Sequence, residues 1–125
     1  MTYDPWSHAD ALGIPVRYRP GLAWEGLWHH GTILLRPGLT RRVERSVLAH
    51  EIVHAEHDDQ PTTDTVTHTR QERRADRIAA ERLITPADLR AAQRISDDPG
   101  MWCHELDVTG WILTARLGAL HGTCP

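Results

Sequence analysis

Residues 48–59, LAHEIVHAEHDD, place two histidines four positions apart with a glutamate directly after the first. On a helix His50 and His54 share a face and can point two imidazoles at one ion. Glu51 then lies near the ion's open side, where a carboxylate could take a proton from a water whose pKa zinc lowers towards ~7. This is the H-E-x-x-H pattern of zinc hydrolases. The competing reading is an ordinary polar helix, because a chain with 9 His produces pairs at this spacing by chance.

A catalytic zinc takes three protein ligands and keeps one position for water. The best third candidate is Glu72, in the stretch ERRAD beyond His54. Asp76, one turn on, faces the same side and could accept the free N–H of a ligating histidine. Glu72 also has a plainer reading: Thr69-Arg70-Gln71-Glu72 spells a capping box, in which Glu72 would bond the Thr69 backbone N–H. Other candidates are weaker. His57 suits a surface or substrate-side position, and His29 and His30 fall in a turn. His104-Glu105 begins a second such motif, but Val108 stands where its second histidine would be. Trp102 and Trp111 read as core.

The elements that must position these groups follow from periodicity. IPVRYR (14–19) alternates as a half-buried strand does, and WEGLWHHGTILLR reads as two short strands turning at His29–Gly31. From Thr40 the period changes. Val43, Val47, Leu48 and Ile52 recur at threes and fours, so 41–57 reads as a helix capped by Thr40. Residues 58–69 read as a polar loop, long enough to let the flanking helices pack antiparallel. A second helix, RQERRADRIAAERLI, follows. Thr85-Pro86 ends it and starts a third, running to about Ile95. DDPG (97–100) reads as a turn, and Thr109 as the cap of a last helix, GWILTARLGAL. The expected fold is α+β: an N-terminal sheet of about three strands packed with about four helices, the HExxH helix central.

A chain of 125 residues is one domain's worth, so residues 1–125 are expected to form one domain. The 40% apolar and 25% charged content is that of a globular protein. The net charge of −3 gives no electrostatic case for direct binding of nucleic acid. All 14 basic residues are Arg, scattered along helices, which reads as compositional bias. Cys103 and Cys124 do not make a disulfide framework or a C-x-x-C pair. MTYDPWSHAD lacks the basic and apolar regions of a secretory signal, and no apolar run could span a bilayer. The expectation is a soluble cytoplasmic protein with reduced thiols and no membrane partner.

The short sheet, HEIVH, the polar loop, ERRADRIAAERLITPADL and the final DVTGWILTARLGAL together resemble the ImmA/IrrE family of metallopeptidases, from about Ile14 to Leu120. The carboxylate segment is similar to that family's E-x-E-A-N/D-x-F-A-x-x-L-L-M-P, with Glu72, Ala75, Asp76, Ala79, Leu83, Ile84 and Pro86 in place. The ligand set also looks like that of the gluzincins. The resemblance implies His50, His54 and Glu72 as ligands of one Zn2+ per chain, and Glu51 as general base. Arg74, Ile78 and Thr85 depart from the pattern, where Glu, Phe and Met are common. None is a proposed ligand.

Members of that family are regulatory, and many cleave or inactivate helix-turn-helix repressors of phages, mobile elements or stress responses. Too few residues precede the first strand to form a helix-turn-helix domain, so the repressor is expected to be a separate protein. The resemblance implies a zinc endopeptidase making limited cuts in such a partner. The alternative is a zinc-stabilised binding module, of anti-repressor or toxin–antitoxin type, that does not cut. His57, His104 and Arg116 remain open as groups that could stabilise the reacting carbonyl oxygen.

Overall fold

The computed structural model describes residues 2–118. The chain begins with a helix, α1 (Pro5–Ala11), followed by β1 (Val16–Tyr18), β2 (Gly26–His29) and β3 (Thr32–Leu35). Five helices follow: α2 (Arg41–His57), α3 (Thr65–Leu83), α4 (Pro86–Ile95), α5 (Pro99–Leu106) and α6 (Gly110–Leu117). The mixed α+β class is as expected, but there are six helices among the described residues where four were anticipated. The additional two are α1 and α5. Each opens on Asp-Pro, with Asp4 or Asp98 accepting a backbone N–H and Pro at the first helical position. DDPG is therefore a helix start.

In the sheet, β3 lies between β1 and β2, parallel to the first and antiparallel to the second. The β2–β3 turn at His30-Gly31 has positive φ at both residues, 47° and 76°, the twist a two-residue hairpin requires. His29 and His30 lie on this exposed turn against each other. β2 is an edge strand.

Helix α2 is the centre of the molecule. Thr40 caps it as expected, accepting from the Val43 N–H, and every residue from Arg45 to His54 is buried. One face packs Val47, Leu48 and Ile52 against Ile33 and Leu35 of the sheet. The other sets Ala49 and Val53 against Ala75 and Ala79 of α3, with Leu83, Ile112 and Leu113 behind them. The buried Arg45 guanidinium donates to the carbonyls of Tyr3, Leu106 and Asp107, tying the N-terminal segment and the end of α5 to α2.

Two boundary details differ from expectation. α3 begins at Thr65, with Asp64 as its cap, so Thr69 and Glu72 lie inside the helix and form no capping box. Thr109 occupies the cap position of α6, but its side chain makes no cap bond; its backbone N–H donates to Ser46 Oγ of α2 instead. Residues 119 and 120 of the expected last helix, and Cys124, lie outside the described residues, while Cys103 is buried in the helical core. Trp102 is half-buried there as expected. No helix among the described residues is long and apolar enough to cross a membrane.

Gly26 sets how closely β2 lies on α2. A Cβ there would fall 2.4 Å from Val47 Cγ1 and 3.1 Å from Glu51 Cγ. Gly26→Ala is therefore expected to cost roughly 1–3 kcal/mol, the range for overpacking. In denaturant melts, Val47→Ala in the same chain should recover part of that loss. Strictly additive losses from the two changes would show that this contact does not limit the packing.

Candidate metal centre

His50, Glu51 and His54 project from the buried middle of α2, and Glu72 and Asp76 from α3. The small residues between the helices bring these groups together. His50 Nε2 and His54 Nε2 are 3.0 Å apart. Glu72 Oε2 lies 2.5 Å from His54 Nε2 and 3.5 Å from His50 Nε2, and Glu51 Oε2 is 3.8 Å from His50 Nε2. All five residues that the sequence singled out for this site meet here. The helices are not antiparallel throughout, as was expected. His50 meets Asp76 and His54 meets Glu72, but Glu56 meets Arg82, about 15 Å along α3 from Glu72. They cross.

Each imidazole is held from behind. His50 Nδ1 is 2.8 Å from Asp76 Oδ1, and His54 Nδ1 is 2.8 Å from Asp59 Oδ2. A carboxylate can only accept, so each Nδ1 carries a proton, and a ring that gives up its second proton to make way for a metal would turn the lone pair of Nε2 inwards. Two such nitrogens and one carboxylate oxygen make a donor set suited to a divalent transition ion. The geometry fits a metal.

Asp59 was not anticipated. It follows Asp58, whose left-handed backbone (φ 48°) ends α2 and folds the chain back so that the Asp59 N–H donates to the His54 carbonyl. Trp111 differs from expectation too: it is 38% exposed and sets its ring edge-to-face against His50, 5.7 Å between centroids. It is a wall of the site.

Cavities open on both sides of Glu51 and Glu72. One, of about 240 Å3, is bounded by Glu25, Gly26, His50, Asp76 and Trp111; the other, of about 300 Å3, by Trp24, Trp28, His54, Gln71 and His68. Gly26, Glu51 and Glu72 line both. The three candidates for the carbonyl oxygen line neither cavity. His57 Nδ1 lies against the Val53 carbonyl, Arg42 against His104, and Arg116 donates to the Ile84 carbonyl. His68 stands one turn before Glu72 on α3 and makes no side-chain hydrogen bond among the described residues. The i, i+4 spacing to Glu72 was the signal that could have found it.

The charges are strongly coupled. Burial disfavours a charge on His50, but hydrogen bonds to Asp76 and Glu72 and the nearby Glu51 push its pKa up to about 10. The same balance raises His54, through Glu72 and Asp59. Hydrogen bonds from both rings hold Glu72 far below the usual carboxylate range. Burial raises Glu51, opposed by the two histidines and by the Trp28 backbone N–H.

With this geometry stands a family match. Residues 9–106, which include His50, Glu51, His54, Asp59, His68, Glu72 and Asp76 but not Trp111, match the Peptidase_M78 family, described as the IrrE N-terminal-like domain, and the chain belongs to that metallopeptidase-type family. No curated protein matches it.

A histidine whose pKa rises on folding stabilises the folded state fully below its ordinary value of 6.5, and that contribution is lost as pH climbs through about 10. Chelator-treated protein should therefore lose thermal stability between pH 7 and about 10, by on the order of 1 kcal/mol per unit. His50→Asn should flatten that slope. An equal slope in the variant would assign it to other groups.

Proposed function

We propose that His50, His54 and Glu72 hold one Zn2+ ion, and that the protein is an endopeptidase making limited cuts in a protein partner. The observation that carries this reading is the groove. It consists of the two cavities that flank Glu51 and Glu72 and share Gly26 as a wall, so a chain lying across both would not need to present a terminus. Among the described residues β2 pairs with β3 alone, and its outer edge, where the Trp28 N–H meets Glu51, could align an extended peptide across the site. Trp24 and Trp28 on one side and Trp111 on the other give apolar walls for flanking side chains.

His50, His54 and Glu72 would hold the ion, whose chemistry when bound would be Lewis acidity towards the scissile carbonyl and a water. Glu51 takes that water's proton and delivers it to the leaving amide nitrogen. Its raised pKa suits both halves of the task, because a base must also give the proton up. Asp76 and Asp59 keep the imidazoles aimed inwards. His68, facing the cavity from α3, is assigned the hydrogen bond to the carbonyl oxygen as negative charge develops on it.

Membership of the IrrE N-terminal-like family supports a regulatory role, and the resemblance to ImmA/IrrE proteins points to a helix-turn-helix repressor as the substrate. The partner would be a separate cytoplasmic protein, of a phage, a mobile element or a stress response. The competing reading is a module that binds the repressor without cutting it, and Glu51 separates the two.

Glu51→Gln should keep zinc and lose cleavage by roughly 10²–10⁴-fold. Gel analysis of the repressor, with metal content measured in parallel, reads both. Repressor inactivation that survives Glu51→Gln without fragments would establish the binding module. His68→Gln should lower kcat by about 10²-fold, the effect of removing one such donor, with little change in KM or zinc content. An unchanged kcat would remove His68 from the chemistry.

A further inference from the structure

We propose that Arg74 is a positioning residue that acts on His54 through Asp59 and so sets how tightly the site grips its metal. The inference rests on the metal-site reading above and extends it to two residues outside the donor set.

The two imidazoles are not supported alike. His50 leans on Asp76, which lies on α3 one turn from Glu72 and whose side chain is 35% exposed. His54 leans on Asp59, which lies in the loop after α2 and whose side chain is only 8% exposed. A helix fixes Asp76. Asp59 has no helix to fix it, and a buried carboxylate with one oxygen unpaired would be costly.

Arg74 meets both needs. Its NH2 group lies 2.5 Å from Asp59 Oδ1, while Asp59 Oδ2 is 2.8 Å from His54 Nδ1. One carboxylate thus spans the guanidinium and the imidazole with different oxygens, which fixes its plane and therefore the ring's. The backbone contributes as well, since the Asp59 N–H donates to the His54 carbonyl at 2.9 Å. Arg74 Nε is buried without a hydrogen-bond partner, so the contact with Asp59 is what holds the guanidinium here.

Two effects of Arg74 oppose one another. Its charge draws electron density from Asp59 and weakens the push on His54, whereas its bond removes the freedom of a loop side chain. Positioning dominates, because among the described residues Asp59 has no other side-chain partner to hold it against the ring. The ImmA/IrrE pattern commonly carries Glu at this position. Arg74 is this chain's departure from it, and it is matched to Asp59. Glu here would set two carboxylates side by side.

The test is zinc affinity, by chelator competition, in the full chain and four variants. Thermal melts of the metal-free forms show that each one folds. Asp59→Ala should weaken binding by roughly 10–100-fold, the usual effect of losing a ligand's supporting carboxylate. Arg74→Gln should weaken it several-fold, and Arg74→Lys less, since it keeps the charge. In the double variant, Arg74→Gln should add nothing to Asp59→Ala, as expected for residues acting in series. Should Asp59→Ala fail to fold, Asp59→Asn takes its place in the cycle.

Arg74→Gln within about twofold of the wild type, or an effect undiminished without Asp59, would overturn the proposal; the second result would mean coupling through no shared partner. Wild-type protein that takes up no zinc would overturn the metal-site reading itself. That outcome is visible before any variant is made.

Discussion

Two imidazole nitrogens 3.0 Å apart, with a carboxylate oxygen 2.5 Å from one of them, cannot all face inwards unless something positive lies among them. In the metal-free protein that positive charge is protons, which is why His50 is pushed up to about 10 and Glu72 is held down. A bound cation would take their place and release them. Much of the surrounding structure answers this demand. Asp76 and Asp59 neutralise the rings from behind, Arg74 neutralises Asp59, and Trp111 packs edge-to-face with His50.

The fold makes such close approach possible through small residues. Ala75 and Ala79 let α3 cross α2 near enough for Glu72 and Asp76 to reach the histidines. On the opposite side Gly26 lets the edge strand settle onto Val47 and Glu51, which seats the Trp28 N–H at the Glu51 carboxylate. Glu51 is thereby fixed between strand and helix. The two cavities beside Glu51 are lined by this strand and helix together with residues of α3, so one scaffold both shapes them and holds the buried charges.

Much of this was legible from residue types and spacing. HExxH needs only an i, i+4 relation on a helix, and Thr40 and the apolar period announced that helix. Asp76 was legible for the same reason, one turn from Glu72. What was missed depends on contacts that spacing does not encode. Asp59 reaches His54 only because Asp58 adopts a left-handed turn, and Arg74 reaches Asp59 only through the packing of α3. His68 was hidden because the loop was read five residues too far. The Thr69–Glu72 capping pattern imitated a helix start that Asp64 provides. Both missed helices carry the Asp-Pro signal, but each is short, 7 and 8 residues, too brief for periodicity to register.

The central claim is that His50, His54 and Glu72 act together as one metal site. Elemental mass spectrometry of protein purified without chelator or affinity-column metal, compared between wild type and Glu72→Gln, tests it most directly. The account predicts about one zinc per wild-type chain and a large loss in the variant, since a catalytic zinc site needs its third protein ligand. No zinc in the wild type, even after incubation with the ion, or equal zinc in both proteins, would contradict it.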